Sequence, residues 1–140
     1  MFVIDTNVLS EFRKIRSGRA NSNVVTWAST ISARTLFLSA ISILELETGF
    51  LLINRRDPKQ GAALRDWIDG QVMAVYAGRI LPVDEIVAKR CAALHVPDPR
   101  AERDSLIGAT ALVHGMTVVT RNTADFKPMG VALLNPWEER

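Results

Sequence analysis

The chain has a single cysteine, Cys91, among its 140 residues. No internal disulfide can form, so a reducing cytoplasm is the expected setting. Histidine is also scarce: His95 and His114 are not spaced as metal ligands or as a base for a nucleophile. With so few His and Cys, a zinc site is disfavoured. There is no glycine-rich phosphate loop and no G-x-S-x-G elbow, which sets aside P-loop and serine-hydrolase chemistry. No apolar run approaches the roughly 20 residues of a membrane span. The opening Met1-Phe2-Val3-Ile4-Asp5 has no basic stretch and soon meets a carboxylate, so no signal peptide is expected. Neither sign of charge dominates: 17 Lys and Arg stand against 15 Asp and Glu, a net +2 that alone says little about nucleic acid. Aromatic residues make up 6%, and Trp27, Trp67 and Trp137 read as packing anchors rather than base-stacking platforms.

What is present is ordinary globular composition, 48% hydrophobic and 23% charged. That suits one domain over residues 1–140, large enough to bury a core without staples. Phe2-Val3-Ile4 reads as a buried strand and Val8 to about Arg16 as a helix, with Val8, Leu9, Phe12 and Ile15 on its apolar face. A second helix is expected from Asn23 to about Ser32 and a second strand over Leu36-Phe37-Leu38, closed by Ser39. Ile41 to Asn54 reads as a helix apolar nearly all round, which calls for cover on more than one side. Asp57-Pro58 marks the start of a helix reaching about Tyr76. Ile80 to Val83 follows as a strand, and Asp84 then caps a helix carrying Ile86, Val87, Cys91 and Leu94. Cys91 is expected in the core. Pro97 and Pro99 end that helix; another runs from Ala101 to His114, with Gly115 closing it and His114 suited to the helix end. Strands over Thr117–Thr120 and Val131–Leu134 complete the pattern. Short strands separated by helices predict an α/β fold with a parallel sheet.

In such sheets functional groups gather beyond the carboxyl ends of the strands. Asp5 and Asp125 fall at or just past strand ends, and Glu45 and Asp104 are expected in first helical turns. Each acid has a plainer reading: Asp5 and Asp125 as helix caps, Asp104 as a partner of a helix dipole. Glu45 is hardest to dismiss, because Ile43-Leu44-Glu45-Leu46 is a poor place for an unpaired charge. Carboxylates packed together repel and need a cation among them. An all-oxygen donor set suits Mg²⁺ or Mn²⁺, which activates water and stabilises charge on a phosphodiester.

Four segments carry a family resemblance: Val3-Ile4-Asp5-Thr6-Asn7, Ser39 to Leu46 around Glu45, Arg103-Asp104-Ser105 to Ala111, and Thr120-Arg121-Asn122-Thr123-Ala124-Asp125-Phe126. They resemble the four PIN-domain motifs in order and spacing. The chain length and the Asn135-Pro136-Trp137 ending resemble the VapC-type toxins of toxin–antitoxin pairs, especially the FitB-like branch. The resemblance implies a central parallel sheet flanked by helices and Mg²⁺- or Mn²⁺-dependent endoribonuclease activity. It also implies a homodimer held by a small DNA-binding antitoxin. Asp5 and Asp104 would be direct metal ligands, with Glu45 and Asp125 acting through water or a second ion. Thr6, Asn7, Thr120 and Asn122 match residues that brace such sites. Two positions depart from the pattern: Gly108, where many members have alanine and glycine looks harmless, and Arg103, which alters local charge before Asp104.

Arg121 beside the cleft and the group Arg13/Lys14/Arg16/Arg19 are candidates for RNA phosphate. The apolar helix Leu44 to Ile53, with Phe50 and Leu51, suggests a surface for a second copy or an antitoxin. Two other functions compete with cleavage. One is a catalytically weak PIN-like module acting through antitoxin-mediated, DNA-bound autoregulation. The other is a phosphatase or receiver, disfavoured because Asp5-Thr6-Asn7 lacks a second aspartate and no lysine follows a strand where a receiver needs one.

Overall fold

The computed structural model describes residues 1–139; Arg140, the last residue of the span read as one domain, lies outside the described residues. Five parallel strands form the sheet: β1 (Phe2–Ile4), β2 (Leu36–Ser39), β3 (Ile80–Leu81), β4 (Thr117–Val119) and β5 (Leu133–Leu134). Their order is β3-β2-β1-β4-β5, every pairing parallel. The helices are α1 (Thr6–Arg13), α2 (Ser22–Thr30), α3 (Ala40–Arg56), α4 (Pro58–Trp67), α5 (Met73–Val75), α6 (Glu85–Leu94), α7 (Glu102–His114) and α8 (Thr123–Phe126).

Alternation along the strands builds a core on each face of the sheet. Ile4, Leu38 and Val119 point to one side, packing with Val8, Leu9, Trp27, Leu64 and Ile68. Val3 and Val118 point to the other, against Ile107, Ala111 and Phe126. Each such side chain removed from water contributes roughly 1.5–3 kcal/mol. Trp27 is buried, edge-on to Phe2 and stacked on Phe12, and Cys91 lies in a small core with Val87 and Ala109.

Several helix starts are fixed by side-chain caps: Asn21 accepts from the Asn23 and Val24 amides, Ser39 from Ile41, Asp57 from Gln60 and Asp84 from Val87. Gly115 closes α7 with φ +65°, a conformation that favours glycine. At Gly61 a Cβ would lie 2.8 Å from Asn54 Cα, so glycine there allows α4 to fold back tightly onto α3.

Several boundaries differ from the sequence expectation. α1 starts at Thr6, where Asp5 caps it, and stops at Arg13; Ile15 lies beyond the helix and is 37% exposed. The helix expected to run from Pro58 to Tyr76 contains a π-helical turn at Ile68–Val72, which lets both Ile68 and Val72 reach the core. The strands at Ile80, Thr117 and Leu133 are shorter than their apolar runs, since only the paired residues count. On α6 Val87 and Cys91 face the core, while Ile86 is 60% exposed. α3 is not covered all round: Leu44, Leu51 and Leu52 are exposed. Phe50, grouped with Leu51 as surface, packs against the main core under the Arg65 guanidinium at 4.6 Å.

Candidate active site

In the strand order β3-β2-β1-β4-β5 the chain reverses direction of progression between β1 and β4, the position where open α/β sheets hold their ligands. Asp5 follows β1 there, and Thr120 follows β4. The Asp5 amide donates to Val119 O at 2.9 Å, locking the two strand ends together. α3 leaves the end of β2, bringing Glu45 to the same edge. α7 feeds into the start of β4, so its own first turn, with Asp104, lies at the opposite, carboxyl edge.

Asp5 is 6% exposed. Its Oδ1 accepts from the Thr6 amide at 2.8 Å, which makes it the N-cap of α1, and its Oδ2 accepts from Thr120 Oγ1 at 2.8 Å. The cap and the site are therefore the same carboxylate. Burial nevertheless pushes its pKa above the usual carboxylate range against those two hydrogen bonds, and the charges of Glu45 and Asp125 push it the same way. Asp104 is raised too, first by burial and then by Asp5 and Asp125. Glu45 Oε1 accepts from Thr6 Oγ1 at 2.8 Å, while Oε2 stands 4.0 Å from the Arg103 guanidinium. Asp5 thus has Glu45 and Asp125 as charged neighbours, and Asp104 has Asp5 and Asp125, from four separate segments.

Thr120 is the hub of the bracing. Its hydroxyl donates to Asp5, accepts from the Asn122 amide at 3.0 Å and has Asn7 Nδ2 at 3.5 Å. Asn7 Oδ1 in turn accepts from the Arg121 amide at 3.4 Å. Asn122 braces through its backbone N–H. Among the described residues, no three His, Cys, Asp or Glu side chains converge into a ready-made metal cage. The donors that do meet are all carboxylate and hydroxyl oxygens. Such a set fits Mg²⁺ or Mn²⁺, which binds through one or two carboxylates and keeps several waters.

The PIN-domain family model matches residues 2–130. The chain belongs to the PIN-domain family. It is similar over 99% of its length to the VapC ribonuclease Y4jK of Sinorhizobium fredii, at 35% identity and 99% coverage of that protein. It is also similar to toxin FitB of Neisseria gonorrhoeae, at 36% identity over 99% of this chain and 100% of that one. A solved FitAB complex bound to a DNA fragment contains a chain with TM-score 0.89 and 34% identity, covering 100% of this chain and 98% of that one.

Within this PIN domain, several expectations about the site are corrected. Glu45 lies in the second turn of α3, not the first, because the helix already starts at Ala40. Asp125 is not a cap: it sits inside the short α8, whose cap position is Asn122. Arg121 as a phosphate contact is not among these corrections: its side chain is exposed, with the guanidinium over the Trp137 ring at 5.2 Å. Gly108 is not a neutral departure, since a Cβ there would come within 2.6 Å of Met129 Sδ. Arg100 escaped the sequence reading, and His95 entered it only as a residue not spaced as a ligand or a base. Arg100 lines a cavity of about 360 Å³ together with Asp104 and Asp125. His95, whose spacing is not that of a ligand, holds the approach to α7: Nδ1 accepts from the Arg100 amide at 3.1 Å and Nε2 lies 3.0 Å from Ser105 Oγ. The i, i+10 spacing of His95 and Ser105 matches no helical or strand period, so sequence offered no signal for the pair.

Proposed function

We propose that residues 1–140 form a single PIN domain acting as an Mg²⁺- or Mn²⁺-dependent endoribonuclease, the toxin of a type II toxin–antitoxin module. One observation carries this reading: Asp5, Glu45, Asp104 and Asp125 come from distant segments to the carboxyl edge of the sheet, and burial together with neighbouring acids raises the pKa of Asp5 and of Asp104. Asp5 and Asp104 hold the cation, with Glu45 and Asp125 completing the site through water or a second ion. A bound divalent cation supplies charge neutralisation and a polarised phosphodiester. Thr120 and Thr6 fix the carboxylates of Asp5 and Glu45 so that their oxygens stay aimed. Glu45, the more accessible of the two, is placed to accept the proton of an attacking water.

The relatives support the biological setting. The similar proteins are named as a VapC ribonuclease and a toxin, and the FitAB complex was solved on DNA. By extension this chain has a small DNA-binding antitoxin as partner and works in the cytoplasm as a homodimer. Leu44, Leu51 and Leu52 on α3 offer the apolar surface for one of those contacts. The DNA-bound FitAB complex also favours a second reading, a weakly catalytic module serving antitoxin-dependent autoregulation. Purified protein incubated with RNA separates the two. Cleavage that requires Mg²⁺ or Mn²⁺, stops in EDTA and is lost in Asp5→Asn supports the nuclease; intact RNA under all metal conditions supports the module.

A further inference from the structure

On the Thr6 and Glu45 side the acidic cluster opens into a groove of about 740 Å³ between α1 and the α3–α4 pair. Four of the five charged side chains lining it are cations: Arg13, Lys14, Arg16 and Arg19. The fifth is Glu45, at the end that joins the cluster. Lys14 is tied to Glu11 at 3.2 Å. The three arginines have no carboxylate within ion-pair distance among the described residues. In a chain of net charge +2, three unpaired guanidinium groups along one wall are a concentration of charge. The groove floor is apolar, with Leu64 and the Trp67 ring, which Arg13 covers at 5.5 Å.

We propose that this groove seats the single-stranded RNA segment flanking the point of cleavage, with its phosphates on Arg13, Arg16 and Arg19. The assignment rests on the nuclease reading above and says where the substrate lies. An acidic cluster by itself repels a polyanion; a cationic wall leading to it supplies the attraction that brings a phosphate there. Guanidinium forks match phosphate oxygens in pairs. A single strand fits better than a duplex because Asp5 is 6% exposed at the foot of the cleft. A strand with free torsions can bend a phosphate down to it, whereas an A-form helix holds its phosphates on a rigid cylinder. Phosphate contacts position a strand without reading its bases, so this groove sets affinity and leaves cut-site choice elsewhere.

The test is fluorescence anisotropy with a short labelled single-stranded RNA of mixed sequence, in EDTA so that nothing is cleaved. Arg13→Ala/Arg16→Ala/Arg19→Ala is expected to weaken binding at least tenfold and to flatten the slope of log K against log salt by about 2, roughly 0.7 for each phosphate of a single strand that is no longer neutralised. Lys89→Ala/Arg90→Ala, on α6 away from the groove, should change neither. Should the triple variant fail to fold, Arg16→Glu/Arg19→Glu, on the exposed turn after α1, gives the same reading. Unchanged affinity and slope in the groove variants would overturn the assignment, as would an equal loss in the α6 pair. Loss of binding to a labelled poly-glutamate peptide with RNA binding intact would also overturn it, and would make the groove a protein-docking surface. The two readings fail separately. RNA bound through the groove but never cut with Mn²⁺ sinks the nuclease and keeps the groove; cutting with unchanged KM in the groove variants does the reverse.

Discussion

Asp5 and Glu11 lie near opposite ends of α1 and are both buried, at 6% and 9% exposure, yet their electrostatics run in opposite directions. Glu11 Oε2 accepts from the Asn21 amide at 2.7 Å and Oε1 from Lys14 at 3.2 Å. The amide bond above all holds its pKa below the ordinary range, so the charged form is the one the fold wants. Asp5 also has two donors, but burial outweighs them and its charged neighbours are other acids. One carboxylate is part of the scaffold that ties α1 to the start of α2. The other is buried where its charged form is disfavoured, as groups at functional sites commonly are, and this agrees with the cation proposed there.

The comparison can be broken most severely at the acids. Asp5→Asn or Asp104→Asn should lower metal-dependent RNA cleavage by about 10²–10³-fold, in the range seen when one electrostatic catalytic group is removed. Gel analysis of RNA ends with wild type alongside checks it, and activity near wild type in either variant would show that the acid is not part of the machinery. Thr120→Val comes next: it strips Asp5 Oδ2 of a donor and the Asn122 amide of an acceptor. A loss of about 10–100-fold in metal affinity is expected, as for other partners of metal ligands. Calorimetric titration reads it, and Thr120→Ser should restore most of the affinity.

Stability sharpens the contrast. Glu11→Gln should cost about 1–2 kcal/mol at neutral pH, since it weakens a charge-assisted bond. Asp5→Asn should instead raise the Tm of the metal-free protein by a few degrees. The sign follows from the raised pKa. A carboxyl that resists ionisation in the fold binds its proton longer than in the unfolded chain, so stability falls as pH rises through its folded pKa. The Asn variant escapes that loss, and its advantage should vanish as pH drops to where Asp5 is protonated in both states. Thermal melts across this range measure it; a lower Tm for Asp5→Asn at neutral pH would contradict the assignment of burial as the dominant cause. The smallest effect is expected at Gly108→Ala. The helix-propensity gain of about 1 kcal/mol opposes an overpacking cost of about 1–3 kcal/mol against Met129, so a net loss of roughly 1 kcal/mol should appear in denaturant melts.

Much of the fold was legible because period and punctuation agreed. Phe2-Val3-Ile4 and Thr117-Val118-Val119 are strands that need burial on both faces, and Asp57-Pro58, Asp84 and Gly115 mark helix ends by local chemistry. Glu45 stood out because it interrupts an apolar segment; Asp5, Asp104 and Asp125 were found from their places near strand ends and helix starts and from motifs resembling those of the PIN domain. What was hidden depends on the third dimension. The π-helical turn at Ile68–Val72 is set by where the core lies, not by any residue that breaks a helix. Thr120 as a hub needs β1 and β4 side by side. The His95–Ser105 contact needs α6 packed on α7. Gly108 looked neutral because its neighbour Met129 is 21 positions away in the sequence, reached only when α8 and the turn after it fold over α7.

Asp5, Glu45, Asp104 and Asp125 are proposed to share a divalent cation. Calorimetric titration of Mn²⁺ into the protein at neutral pH addresses this without reference to cleavage. Saturable binding in wild type, lost in both Asp5→Asn and Asp104→Asn but retained in Glu11→Gln, is the predicted result. Binding that survives both site substitutions, or none in wild type, would contradict it.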